Sequence, residues 1–96
     1  MTIDKTVSDK EIILKLKGWL DAKTAPELGK IIEEIESAEK TLVLDLSELE
    51  YISSAGTRQI IYGYKKMGGK FLLKNVQESI MGILTAIGLD KKIPIE

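Results

Sequence analysis

No cysteine and no histidine occur in the 96 residues. The first absence removes disulfides and thiolate chemistry. The second removes the commonest metal ligand and the side chain most suited to general-base work near neutral pH. Most catalytic constellations are excluded with them, so a metal site and enzymatic activity are not expected. Charge of one sign is also lacking. Fourteen Lys plus Arg stand against fifteen Asp plus Glu, a formal net charge of -1, and no strong field draws the chain to nucleic acid or to an anionic membrane. No stretch approaches the ~20 apolar residues that span a bilayer, and Met1-Thr2-Ile3-Asp4-Lys5 meets an acid and a base before any apolar run, unlike a secretory leader. The expectation is a cytoplasmic protein without direct nucleic-acid contact or membrane insertion. Neither Gly-x-x-x-x-Gly-Lys nor Gly-x-Gly-x-x-Gly appears, which leaves little support for a nucleotide-binding protein or a small enzyme.

What is present suits one folded domain over residues 1–96: 44% hydrophobic and 30% charged residues can fill a core and keep a polar surface. Ile3, Lys5 and Val7 alternate with Thr2, Asp4 and Thr6. After Ser8-Asp9-Lys10, Ile12, Leu14 and Leu16 alternate with Ile13, Lys15 and Lys17, and the two runs predict a hairpin that Gly18 ends. Thr24-Ala25-Pro26-Glu27 has the composition of a capping box with Pro in the first turn. Leu28, Ile31, Ile32 and Ile35 follow at helical spacing, predicting a helix from about Thr24 to Ala38.

Thr41-Leu42-Val43-Leu44-Asp45-Leu46 is a nearly continuous apolar run, as expected of a central strand covered on both faces. A second helix is expected from about Ala55 to Met67, with Lys65-Lys66 and Gly68-Gly69 as stop signals. Lys70 to Lys74 predicts a fourth strand. Asn75-Val76-Gln77-Glu78 then repeats the capping logic before a third helical stripe of Ile80, Ile83, Leu84 and Ile87, which Gly88 closes. The tail from Leu89 to Glu96 either adds an edge strand or lies across the core. The class is α/β, with an N-terminal β-hairpin, then parallel strand and helix alternation, four to five strands in all and helices packed on the sheet. Right-handed crossovers place strands two, three and four side by side. Asp21 and the segment from Ser47 to Gly56 then share their carboxyl edge, where functional loops of such sheets gather.

Tyr51-Ile52-Ser53-Ser54-Ala55-Gly56 joins the central strand to the second helix. Two adjacent serines there suit a helix cap, and equally a hydroxyl presented where a phosphate would be stabilised by first-turn amides. Trp19 is the only tryptophan, a core residue if turned inward and a partner anchor if exposed. Asp21 suits a turn residue before a helix, and Asp45 a carboxylate bonded to the backbone around Ser47. Tyr62 and Tyr64 beside Lys65 and Lys66 read as a solvated helix face.

Four segments in order carry a wider resemblance: Gly18-Trp19-Leu20-Asp21-Ala22-Lys23-Thr24-Ala25-Pro26-Glu27-Leu28, Leu42-Val43-Leu44-Asp45-Leu46-Ser47, Tyr51-Ile52-Ser53-Ser54-Ala55-Gly56 and Gly68-Gly69-Lys70-Phe71, with Ile87-Gly88-Leu89-Asp90 near the end. Together they resemble the STAS domains, among them the bacterial anti-sigma factor antagonists. The resemblance implies phosphorylation at Ser54 and a role for Asp21 beside it. Ser53 and Thr57 are secondary candidates, and the expected partner-binding rim is Trp19, Asp21, Ser53, Ser54, Gly56, Thr57 and Arg58. It implies as partners an anti-sigma factor that is a serine kinase, held when Ser54 is unmodified, and a serine phosphatase that resets the cycle and with it sigma-factor-dependent transcription. No cofactor is implied, since ATP belongs to the kinase, and the chain is expected as a monomer or weak dimer. The sequence departs from the family where Thr57-Arg58-Gln59 replaces an apolar turn, so Thr57 is either an ordinary exposed helix residue or a second acceptor. Asp21, Asp45, Glu48 and Glu50 would make the edge acidic, and a phosphate would add to it. An alternative in the same fold is a non-phosphorylated STAS adaptor subunit of a transport or signalling assembly.

Overall fold

The computed structural model describes residues 1–36 and 39–96. Alternation in the first two runs gives β1 (Thr2–Val7) and β2 (Glu11–Leu20), paired antiparallel with Val7 opposite Ile12. The chain then alternates through α1 (Ala25–Glu33), β3 (Thr41–Ile52), α2 (Ser54–Lys66), β4 (Phe71–Lys74) and α3 (Glu78–Ala86), followed by a short 3-10 turn over Leu89–Lys91. The sheet order is β1-β2-β3-β4, with β2, β3 and β4 parallel, as the alternation implies. The tail adds a single parallel bridge between Ile95 and Leu73 at the outer edge of β4, held by the Leu73 amide on Pro94 O (3.0 Å) and the Glu96 amide on Leu73 O (2.8 Å).

Cross-strand register explains the core. Ile12, Leu42 and Phe71 lie in one row and Leu14, Leu44 and Leu73 in the next. All six are buried in one cluster with Leu28 and Ile32 of α1, Ile60 of α2, and Ile80 and Leu84 of α3. The expectation that β3 is covered on both faces is thereby corrected. All three helices join the core on the Leu42–Leu44–Leu46 side, whereas Val43 is buried outside that cluster, beside Ile13 and Leu72 in its own row. The opposite face carries Lys15, Asp45 and Lys74, with Lys15 and Lys17 on Glu48 (3.3 and 3.6 Å) and Lys17 on Asp4 (3.4 Å). Such exposed pairs favour solubility more than stability.

Away from the β3–α2 junction, three boundaries differ from the sequence pattern. Strand β2 does not end at Gly18. The glycine sits at φ +98° within a register irregularity, a conformation only glycine takes without strain, and the strand continues to Leu20. Helix α1 ends at Glu33, and the expected end at Ala38 lies outside the described residues. Lys66 of α2 donates to the Ile32 (2.9 Å) and Glu33 carbonyls, which fixes the end of α1 against α2. At α3 the cap residue is Gln77, whose side chain reaches instead to Ser47 O (2.7 Å), and Gly88 (φ +79°) closes the helix as expected.

Two helical glycines separate close packing from propensity. A Cβ on Gly63 would lie 2.8 Å from Phe71 Cε2 and 3.2 Å from Ile32 Cδ1, whereas one on Gly82 meets nothing within 4 Å. Gly63→Ala should therefore lower stability by about 1–3 kcal/mol through overpacking, and Gly82→Ala should raise it by up to about 1 kcal/mol through helix propensity. Urea unfolding of the two variants, giving opposite shifts in midpoint, checks this.

Candidate functional site

The site is built on a part of β2 and β3 that outruns the rest of the sheet. Strand β1 stops opposite Lys17 and β4 stops opposite Asp45, yet β2 and β3 remain paired through Trp19 with Tyr51 and Leu20 with Ile52. Residues Ser47 to Ile52, expected as part of a connecting segment, are strand. At its end the Ser53 amide donates to Leu20 O (2.9 Å). Gly56 then lies so close that a Cβ there would be 2.7 Å from Leu20 Cγ and 2.8 Å from Leu20 O. The start of α2 is therefore fixed against the end of β2, next to the Asp21 turn.

Helix α2 begins one residue earlier than its periodicity suggests. Ser53 is the cap, its Oγ accepting from the Gly56 amide (3.3 Å), and Ser54 is the first helical residue. Ser54 is exposed, and among the described residues its hydroxyl has no hydrogen-bond partner. Thr57 is corrected on both of its expected readings. It is 8% exposed, and its hydroxyl donates back to Ser53 O (3.0 Å), which satisfies a buried polar group and withdraws it from chemistry. Arg58, the next residue, is exposed.

Asp21 shapes a turn. Its Oδ1 accepts from the Lys23 amide (3.0 Å) and the Thr24 amide (3.1 Å), with the Thr24 hydroxyl oxygen 3.2 Å away. Thr24 occupies the cap position of α1 but makes no side-chain cap bond. Its hydroxyl accepts from the Asp21 amide (2.9 Å) and donates to Trp19 O (2.8 Å), so the expected capping box is replaced by an interlocked Asp21–Thr24 turn. The Thr24 amide, then the Lys23 amide, the Thr24 hydroxyl and the Lys23 charge hold the carboxyl below its ordinary 3.8 against some desolvation.

Asp45 is structural, as expected, with Oδ1 accepting from the Ser47 amide (3.0 Å). Desolvation raises its pKa most strongly among single causes, but the Ser47 amide and hydroxyl, the Asn75 side chain and the Lys15 charge together leave it lowered. Asn75 reaches it from a left-handed backbone at φ +56°.

Around Ser54 the surface is apolar. Trp19, 56% exposed, packs on Tyr51 across the strand pair with ring centroids 5.2 Å apart and planes tilted by 44°. A groove of about 400 Å³ runs from Tyr51 and Ile52 past Ser53, Ser54, Thr57 and Arg58 to α3. Its far wall is Ile83 and Ile87, 37% and 53% exposed. These two were expected in the buried stripe of α3, but only Ile80 and Leu84 point into the core. Sequence reasoning therefore missed half of the groove, and the available signal was a stripe wider than the sheet it packs on. The expected acidic edge is corrected for two of its four acids, Asp21 and Glu50 remaining near the site. Glu48 is paired with lysines, Asp45 with its own turn, and Asp45 lies roughly 20 Å along β3 from Ile52 at a strand's rise per residue. Arg58 is the groove's one charged lining residue.

Because the Asp21 carboxyl is held below 3.8, the stability it contributes is present above that pH and is lost as pH falls through the lower folded value. In an NMR titration from pH 6 downward, the Lys23 and Thr24 amide resonances should move with a midpoint below 3.8, and in Asp21→Ala that transition should be missing.

Among the described residues there is no group of three or more His, Cys, Asp or Glu placed to hold a metal, and no helix long and apolar enough to cross a membrane. The STAS domain family profile matches residues 2–96. BtrV of Bordetella bronchiseptica, named as an anti-sigma factor antagonist, is 27% identical over 99% of this chain and 84% of its own length. The crystal structure of an anti-sigma factor antagonist from Mycobacterium paratuberculosis superposes with TM-score 0.87 at 27% identity, over 98% of this chain and 83% of that one. The phosphorylated form of the Bacillus cell fate determinant SpoIIAA shares the fold at TM-score 0.65 and 13% identity, over 99% of this chain and 91% of its own. An open-faced sheet of this order, a serine at the first position of α2 and a profile match over nearly the full length have one reading: the chain belongs to the STAS domain family.

Proposed function

We propose that this chain is an anti-sigma factor antagonist, a binding protein that holds an anti-sigma factor over the rim around Ser54 and releases it when Ser54 carries a phosphate. The observation that carries the reading is the exposed hydroxyl at the first residue of α2, unpartnered among the described residues and set among Tyr51, Ile83 and Ile87, with Trp19 packed on Tyr51. Relatives named as anti-sigma factor antagonists and a structural neighbour recorded in a phosphorylated form support it.

The chemistry selects Ser54 among the three candidates. Ser53 commits its oxygen to the Gly56 amide and Thr57 is buried, while Ser54 is free to enter a kinase active site. ATP is then the partner's substrate, the partner being a serine kinase, and a serine phosphatase restores the hydroxyl. A phosphate adds about -1.5 to -2 charges at neutral pH. Burying it under an apolar partner surface costs desolvation without a matching partner, on the order of 2–5 kcal/mol, or roughly thirty-fold to several-thousand-fold in affinity. The fold need not change, since Ser54 is exposed and its oxygen holds nothing together. In this cycle the chain works as a single domain in the cytoplasm and needs no cofactor of its own.

Calorimetric titration against the anti-sigma factor kinase of the same host should show Ser54→Ala binding as tightly as the parent and Ser54→Asp at least about tenfold weaker. Equal affinity of the two variants would refute a switch at this position. Intact mass after incubation with kinase and ATP should rise by one phosphate in the parent and not in Ser54→Ala.

A further inference from the structure

The groove beside Ser54 holds a cation that nothing in the fold explains. Lys15 and Lys17 on the open face of the sheet pair with carboxylates, and Lys66 bonds the α1 carbonyls, but none of these three lines the groove. Arg58 is exposed, and among the described residues it makes no ion pair or hydrogen bond. It stands four residues after Ser54 on the regular helix Ser54–Lys66, and both residues line the same groove.

Side chains four apart on a helix share a face, with Cβ atoms about 5–6 Å apart. Helical side chains also lean toward the N-terminus, so the Arg58 guanidinium reaches back over the turn that starts at Ser54. An anion at the first position and a cation at the fifth is the more favourable of the two orientations. The groove offers few alternatives, since the hydroxyls of Ser53 and Thr57 are committed and no other charged residue lines it. The first turn of α2 contains no acid that would occupy Arg58 beforehand.

We propose that Arg58 is the internal partner of a phosphate on Ser54, free to meet the anti-sigma factor in the unmodified protein and drawn onto the phosphate in the modified one. This rests on the reading in which Ser54 is phosphorylated and specifies how that site is regulated. Phosphorylation changes the groove from one positive charge to a net of roughly -0.5 to -1. It also occupies the one cation the groove presents to a partner. The contact with the anti-sigma factor is thereby altered twice, by the added anion and by the withdrawn guanidinium, with no movement of the backbone. A guanidinium suits the task because its planar fork can meet two phosphate oxygens at once.

The test uses this chain alone, with phosphoserine incorporated at position 54 during synthesis, and follows the second ionisation of the phosphate by 31P NMR against pH. In the parent its midpoint should lie about 0.15–0.4 pH units below that of Arg58→Gln, from the energy of an ion pair at this spacing. Arg58→Lys should keep part of the difference. In 1 M salt, where the Debye length falls to about 3 Å, the difference should shrink. Lys23→Gln, which removes the cation of the neighbouring Asp21 turn, should leave the midpoint near the parent value. The same midpoint in parent and Arg58→Gln, or a shift removed by Lys23→Gln and not by Arg58→Gln, would overturn the proposal. Because the phosphate is installed rather than added by an enzyme, this result does not depend on whether a kinase modifies Ser54. That reading stands or falls separately on the affinities of Ser54→Ala and Ser54→Asp.

Discussion

The Leu20 carbonyl and the glycine that approaches it hold the functional end of the molecule together. Beyond residue 17 of β2, the neighbouring strand β1 has stopped, and β4 stops opposite Asp45, so the extended part of the β2–β3 pair has no further sheet to support it. What fixes it is local: Leu20 pairs with Ile52, accepts the Ser53 amide at 2.9 Å and leaves room beside its side chain for Gly56 but for no Cβ. One buried leucine thus sets the distance between the Asp21 turn and the start of α2. Trp19 precedes it and Asp21 follows it, so three successive residues of β2 and its turn supply an aromatic, an anchor and a carboxylate to the same rim.

That arrangement explains which parts of the molecule were legible in the sequence. The order of elements, the parallel pairing and the position of Ser54 at a helix start follow from periodicity and punctuation, because α2 is a long amphipathic run closed by Lys65, Lys66 and two glycines. The length of β3 was not legible. Its buried residues change from a spacing of two at Leu42, Leu44 and Leu46 to a spacing of three at Leu46, Leu49 and Ile52, where the pairing with β2 shifts register around Lys17 and Gly18. A search for alternation ends at Leu46 and reads a loop where the strand continues.

Side-chain hydroxyls were the second source of error, for a common reason. Thr24 looked like a helix cap and Thr57 like a surface residue, because sequence weighs a threonine by its polarity. In the structure Thr24 bonds the Asp21 amide and Trp19 O, and Thr57 bonds the carbonyl four residues before it. Local backbone partners let one threonine close a turn and let the other be buried without cost from an unsatisfied group. The α3 stripe failed differently. Helical spacing identifies which residues share a face, but the width of the partner decides how much of that face is covered, and Ile83 and Ile87 fall outside it.

Charge placement then decides what a phosphate at Ser54 can do. Four acids along one edge would suggest simple like-charge repulsion. In the fold, however, Asp21 is bonded into its own turn, Asp45 into the Ser47 amide and Asn75, and Glu48 into two lysines, so these three carboxylates serve the scaffold and only Glu50 of the four is left exposed and unpaired among the described residues. The groove beside Ser54 is itself lined by one charged group, the Arg58 guanidinium. There a dianion on Ser54 would act mainly through its own desolvation and through the proposed pairing with Arg58, and both effects would fall on binding rather than on folding. The core cluster includes neither Ser54 nor Arg58. A phosphate on Ser54 would therefore not draw on the packing that keeps the sheet and helices together, and its effect would be confined to what can dock on the rim.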